Sequence, residues 1–273
     1  MTDTTPRRFE RTLHFDAPRE AVWRALTEPD EIARWFAPEA RFDPRVGGEV
    51  AWRWQDHFDW KQTIEVLEEG EHLCTRYDAW GGRGDEEHPL FIDFRLTGEG
   101  GTTALRIVHS GFGDDARFDG EYDGISRGWP IELRSLQLYV ERHRGHDRHL
   151  VWTRAIVDVE PEQAWAAISA QTGLGCGAAF DGVEAGAPFA FESIDGDRFA
   201  GTVVASNDQD RVGILSSHGD GWLRLWVGPL EGASMIWLWC ATYDVEPPVG
   251  LQARWDALVA RVFAGRIREG VTS

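Results

Sequence analysis

The apolar positions between Tyr122 and His143 repeat at helical spacing. Trp129, Leu133, Leu136 and Val140 fall at i, i+4, i+7 and i+11, which places them on one face of a long helix. Pro130 is expected in that helix's first turn, where a missing N–H costs nothing. The face is too apolar for water, so the segments before it must wrap it. Leu251, Trp255, Leu258 and Val262 repeat the same spacing near the end of the chain. Two similar closing helices predict two copies of one module.

Upstream of the first helix the period changes to two. Phe9 to Phe15 alternates as a half-buried strand, with Phe9, Leu13 and Phe15 on one side. Asp16-Ala17-Pro18 opens a helix whose Trp23 and Leu26 face inward, and a second short helix is expected from Glu31 to Phe36. Asp43 to Gly48 reads as a turn. Strands are expected at the AWRWQ segment, with Trp52 and Trp54 on one face, at Thr63 to Leu67, Leu73 to Trp80, Leu90 to Leu96 and Thr103 to Ser110. The glycine-rich 81–88 stretch reads as a loop. This order predicts an α+β module in which a curved antiparallel sheet buries its one long helix in the concave face.

The polar string from His143 to His149 separates this module from a restart of the pattern. The expected divisions are 1–143, a linker at 144–149, and 150–273. In the second copy a strand at Leu150 to Val159 precedes a helix at Pro161 to Ser169, where Trp165 and Ile168 echo Trp23 and Leu26. Strands are expected at Phe189 to Ser193, Arg198 to Ala205, Arg211 to Ser217, Trp222 to Val227 and Ser234 to Tyr243, then a helix at Pro247 to Phe263. The copy is shorter, and Gly173 to Gly177 stands where the second short helix is expected to be lost.

Composition narrows the partners. The net charge of −18 repels phosphate backbones and anionic lipid, which argues against nucleic acid and membrane surfaces. Fourteen tryptophans favour large cores and cavities. Three dispersed cysteines with no CxxC pair fit neither a zinc site nor a disulfide framework, so a cytoplasmic protein is expected. The N-terminus shows no apolar signal segment, and the apolar run near Met235 to Ala241 is too short to span a bilayer. No cofactor or metal is expected, and the oligomeric state is left open.

Several segments of the first module resemble the activator of heat-shock-protein-90 ATPase homologue-like family, within the START-like, helix-grip superfamily. They are APREAVWRALTEPDEIARWFAP (Ala17 to Pro38), the hairpin Asp43 to Val50, HSGF (His109 to Phe112), and Gly128-Trp129 followed by Leu133 and Leu136. The second module looks like a diverged copy without HSGF. The resemblance implies two tandem helix-grip domains, each with a cavity between sheet and closing helix. Superfamily members bind lipids, polyketides, hormones or other hydrophobic molecules, and some are enzymes; the family name refers to a co-chaperone. A fold does not by itself fix a function.

The candidate binding residues are Trp35 and Phe36 on the second helix, Trp52, Trp54, Tyr77, Phe94, His109 and Phe112 on the sheet and its rim, and Trp129 and Leu133 on the closing helix. Each also fits an ordinary core position. His109 shares the parity of Leu105 and Ile107, so it is expected to face inward, where an imidazole can orient a ligand or move a proton. Tyr77 and Asp93 are its candidate partners. The GxSxG match at Gly124 to Gly128 lacks the preceding strand of a nucleophile elbow, and Ser126 is expected to cap the helix. The histidines at 143, 146 and 149 read as a solvated linker. Asp56-His57-Phe58-Asp59 lacks metal-site spacing, the glycines at 81–84 do not make a phosphate loop, and Arg83-Gly84-Asp85 is a chance triplet. Three readings follow: a binder of a hydrophobic small molecule, a co-chaperone or protein-interaction module whose acidic surface meets a basic partner, and an enzyme on a polyketide-like or aromatic substrate that uses His109.

Overall fold

The computed structural model describes residues 7–54, 59–78, 88–230 and 232–268. It divides into two compact units, residues 1–145 and 146–273. The residues Asp56 to Phe58, Trp80 and the 81–87 stretch, with its glycine and Arg83-Gly84-Asp85 motifs, lie outside the described set.

The first unit runs β1 (Phe9–Phe15), α1 (Arg19–Thr27), α2 (Pro29–Trp35), β2 (Glu39–Phe42), β3 (Glu49–Arg53), β4 (Asp59–Glu68), β5 (His72–Asp78), β6 (Pro89–Thr97), β7 (Thr103–Ser110) and the long α3 (Asp119–Leu138). Among the described residues the strands form a seven-stranded antiparallel sheet in the order β1-β7-β6-β5-β4-β3-β2. Alternation sets its buried face. Leu90, Ile92, Phe94 and Leu96 are buried on β6, as are Leu105, Ile107 and His109 on β7, while Arg95 is exposed. On α3 and its continuation, Trp129, Leu133, Leu136 and Val140 are all buried.

Helix α3 starts at Asp119, earlier than the apolar spacing suggests, so Pro130 lies in the helix interior and not in a first turn. Glycines 120, 124 and 128 are poor helix formers. They are carried by acidic Asp119 and Glu121 at the positive end of the helix dipole, by the Asp123–Arg127 pair at 2.9 Å, and by Arg7 on Asp119 at 2.7 Å. Pro130 cannot donate to the Ser126 carbonyl one turn back. Ser126 is therefore an interior helical residue and not a cap, and the GxSxG match sits wholly within α3 with no nucleophile turn. The helix ends in a π-helical turn, Tyr139–His143, in which His143 is buried.

Within the polar string 143–149, residues 144–147 are exposed and 146–148 carry no regular secondary structure, while its two ends belong to the flanking elements. His143 belongs to the helix end, His146 pairs with Asp244, and His149 opens the next strand and lies 3.5 Å from Glu246.

The second unit runs β8 (His149–Val157), α4 (Pro161–Ser169), α5 (Gly177–Phe180), β9 (Pro188–Glu192), β10 (Arg198–Ser206), β11 (Asp210–Leu215), β12 (Gly221–Leu230), β13 (Ala233–Thr242) and α6 (Leu251–Val262). Its described strands form a six-stranded antiparallel sheet, β8-β13-β12-β11-β10-β9. Leu251, Trp255 and Leu258 are buried against Phe191, Phe199, Leu223 and Leu238. The second short helix persists as the single turn α5, which the glycines around it had concealed. Helix α6 begins at Leu251 and not at Pro247, because Gly250 turns the chain there at φ +75°. Both units are thus helix-grip domains, each with a curved antiparallel sheet closed by a C-terminal helix. Among the described residues no helix is long and apolar enough to cross a membrane.

A buried charge fastens α2 to the closing helix. Glu31 is 5% exposed, accepts the Tyr139 hydroxyl at 2.6 Å, and pairs with Arg34 at 2.8 Å. Removing one member of such a cluster strands the others. Glu31→Ala is expected to destabilise the first unit by about 3 kcal/mol, and Glu31→Gln, which still accepts the hydroxyl, by less. Hydrogen exchange of peptides within 16–141 during a urea titration measures both.

Candidate functional site

The inner face of the first sheet carries a connected aromatic cluster. Phe36, just past α2, stacks on Trp35 with ring centroids 5.0 Å apart. It meets Trp52 edge-on at 5.0 Å and Trp54 at 5.1 Å, and lies nearly parallel to Trp129 at 6.2 Å. Phe94 meets Trp129 at 5.9 Å, and Phe112 lies 5.3 Å from the His109 ring. Leu133 is buried one turn beyond Trp129 on the same helix face. The candidate residues are therefore brought together from α2, the sheet and α3, and all are buried.

Two hydrogen bonds hold α2 in place beside them. The Ser135 hydroxyl donates to the Trp35 carbonyl at 2.9 Å, and the Trp35 indole N–H donates to the Ala25 carbonyl at 2.8 Å.

Trp60 is a member that sequence reasoning missed. Its ring joins Trp52 at 5.2 Å to Tyr77 at 5.1 Å and lies 6.3 Å from His109. The signal was the parity Trp60, Gln62, Ile64, which extends β4 toward its N-terminal end. Gln62 was missed with it. Its side-chain carbonyl accepts the Thr75 hydroxyl at 2.6 Å on the same buried face.

His109 is fully buried, and both ring nitrogens are engaged. The Trp129 indole N–H donates to Nδ1 at 2.9 Å, and Nε2 lies 2.7 Å from the Tyr77 hydroxyl. An indole nitrogen only donates, so Nδ1 bears the lone pair. Burial lowers the imidazole from its ordinary value near 6.5 to about 3, so it is neutral and its proton sits on Nε2. Nε2–H then donates to Tyr77, whose own pKa is raised by burial and which therefore keeps its proton. Asp93 does not join this chain. It bonds Nε2 of His72 at 2.7 Å, because its parity on β6 is opposite to that of Ile92 and Phe94.

The arrangement orients the Tyr77 hydroxyl. For His109 to act as a base it would have to give up Trp129 or Tyr77. A depression over β2 to β4 lies on the outer sheet face. It is lined by Glu39, Arg41, Glu49, Arg53, Asp59 and Lys61 and is crossed by the Arg53–Asp59 pair at 3.4 Å.

Residues 16–141, most of the first unit, match the family described as Activator of Hsp90 ATPase homolog 1-like protein, so this unit is similar to that family. CalU16 from Micromonospora echinospora is similar at 26% identity over 50% of this chain and 76% of its own, with a TM-score of 0.41. The Aha1 dimer from Colwellia psychrerythraea is similar at 19% identity over 51% of this chain and 99% of its own, with a TM-score of 0.44. DynU16, from the dynemicin biosynthetic locus, is 14% identical over 94% of this chain and 95% of its own, with a TM-score of 0.42. No curated protein matches the chain.

The depressed pKa of His109 has a signed consequence. The unfolded chain takes up a proton near 6.5, whereas the native imidazole resists protonation down to about 3. Stability from this site is complete above the unfolded value and falls as pH drops between the two. The slope from this one proton approaches about 1.4 kcal/mol per pH unit. His109→Leu is expected to be less stable at neutral pH and to lose that component of the slope. Urea unfolding from about pH 6 down to 4 measures it.

Proposed function

We propose that the first unit binds a hydrophobic small molecule at the aromatic cluster between its sheet and α3. The observation that carries this reading is the convergence of Phe36, Trp52, Trp54, Phe94 and Trp129 into one cluster, joined through Trp129 to a neutral, hydrogen-bonded His109. An apolar wall with a few fixed polar groups is what a ligand site for such a molecule requires. A structural core alone would gain more from aliphatic packing than from a buried imidazole whose partners must all be satisfied. The second unit has Phe180, Phe189, Phe191 and Phe199 in its core.

The family description favours a second reading, contact with a chaperone. It would use the acidic exterior of the chain, and cavity-filling substitutions would leave it intact. The reading as an enzyme that uses His109 has less support, since burial makes this imidazole a weak base.

Native mass spectrometry of the purified chain, followed by denaturing extraction, tests the binding reading. The expected result is a small apolar adduct that is retained in the native spectrum and released on denaturation. A bare protein mass, both as purified and after incubation with a panel of apolar small molecules, would overturn it. Leu133→Trp, which crowds the closing helix, is expected to reduce the adduct by tenfold or more, on the order of 1.4 kcal/mol.

A further inference from the structure

Inside the aromatic cluster the unmatched polar groups are all donors. Trp129 fixes His109 with its proton on Nε2, and that proton is given to the Tyr77 oxygen. The Tyr77 hydroxyl proton then has no acceptor among the described residues. Nearby, the buried indole N–H of Trp52 is without a partner, and so is the side-chain N–H of Gln62. These groups share one sheet face. Trp52 and Tyr77 both touch the Trp60 ring, at 5.2 and 5.1 Å, and Gln62 follows Trp60 at the next inward position of β4. Tyr77, Trp52 and Gln62 are 5%, 5% and 3% exposed, so water reaches them poorly. A buried donor without an acceptor costs the full desolvation of that group. None of these groups is charged, and a buried carboxylate would find no cation among them, so a neutral oxygen fits best.

We propose that the ligand of the first unit is an apolar molecule bearing a carbonyl-type oxygen, and that Tyr77, oriented by His109, donates the hydrogen bond that fixes that oxygen. Trp52 lies where it can donate a second bond. Tyr77 and Trp52 are ligand-contacting residues in this account, and His109 and Trp129 are positioning residues. The inference rests on the binding reading above and adds the chemical class of the ligand.

The matched planar pair 9-fluorenone and fluorene, which differ by one carbonyl oxygen, separates the two ideas. Their affinities for the full chain are read by quenching of tryptophan fluorescence. Without a donor in the site, fluorenone is the weaker ligand, because its carbonyl must be desolvated. With the Tyr77 donor, fluorenone is expected to bind about tenfold more tightly than fluorene. Tyr77→Phe is expected to erase that preference, read as the ratio of the two affinities within the same variant, and Trp52→Phe to reduce it in part. A thermal melt establishes that each variant is folded; if Tyr77→Phe does not fold, the ratio for the native chain decides alone. Equal binding of both compounds, or a preference untouched in a folded Tyr77→Phe, would overturn the donor assignment and leave apolar binding standing. Binding of neither compound would overturn the assignment together with the reading it rests on.

Discussion

The closing helix of the first unit is tied to the middle of its sheet by a chain of hydrogen bonds, from Trp129 to His109 to Tyr77. Its direction is fixed at the helix end, because an indole can only donate. Everything downstream follows from that: a bare Nδ1, a protonated Nε2, and a tyrosine hydroxyl that accepts from within and must find an acceptor elsewhere. The chain links α3, β7 and β5, passing over β6, where Ile92 pairs with both His109 and Thr75. Packing alone holds a helix against a sheet without choosing its rotation. A buried polar chain is costly unless every member is satisfied, and so it selects one rotation and one height.

Two further polar contacts act at the other end of the same helix. Ser135 holds the carbonyl of Trp35, and the Tyr139 hydroxyl holds Glu31. Helix α2 is thereby set against α3, and Phe36 just beyond it is aimed among Trp52, Trp54 and Trp129. The aromatic cluster is therefore built by polar bonds to the helices on its border, and its own ring contacts are edge-on or offset, the arrangements that aromatic quadrupoles favour. The second unit repeats the architecture with a shorter closing helix and a phenylalanine core, and His218 sits there against Phe199 on a turn, not within the sheet. The two units share a scaffold and differ in the chemistry placed on it.

Much of this was legible from residue order. The i, i+4, i+7, i+11 spacing located both closing helices, and alternation through Leu105 and Ile107 pointed His109 toward the core. Parity also separated Tyr77 from Asp93 once the register of β5 and β6 was known, but register is a pairing property that no single strand announces. Trp60 and Gln62 were hidden because β4 is interrupted by a bulge between Ile64 and Val66, which shifts the alternation halfway along. The start of α3 was hidden by its glycines and by Pro130, whose local preferences are overruled by ion pairs and by burial of Trp129 and Leu133. The direction of the hydrogen bonds could not be read at all, since it depends on an indole 20 residues further along, on the following helix.

The account turns on the protonation state of one ring, and nitrogen-15 NMR of the histidine imidazoles reads it directly. At about pH 5, where an ordinary histidine is charged, His109 is predicted to remain neutral, with its proton on Nε2 and none on Nδ1. An imidazolium signal at that pH, or a neutral ring protonated on Nδ1, would contradict the direction of the chain and with it the donor assigned to Tyr77.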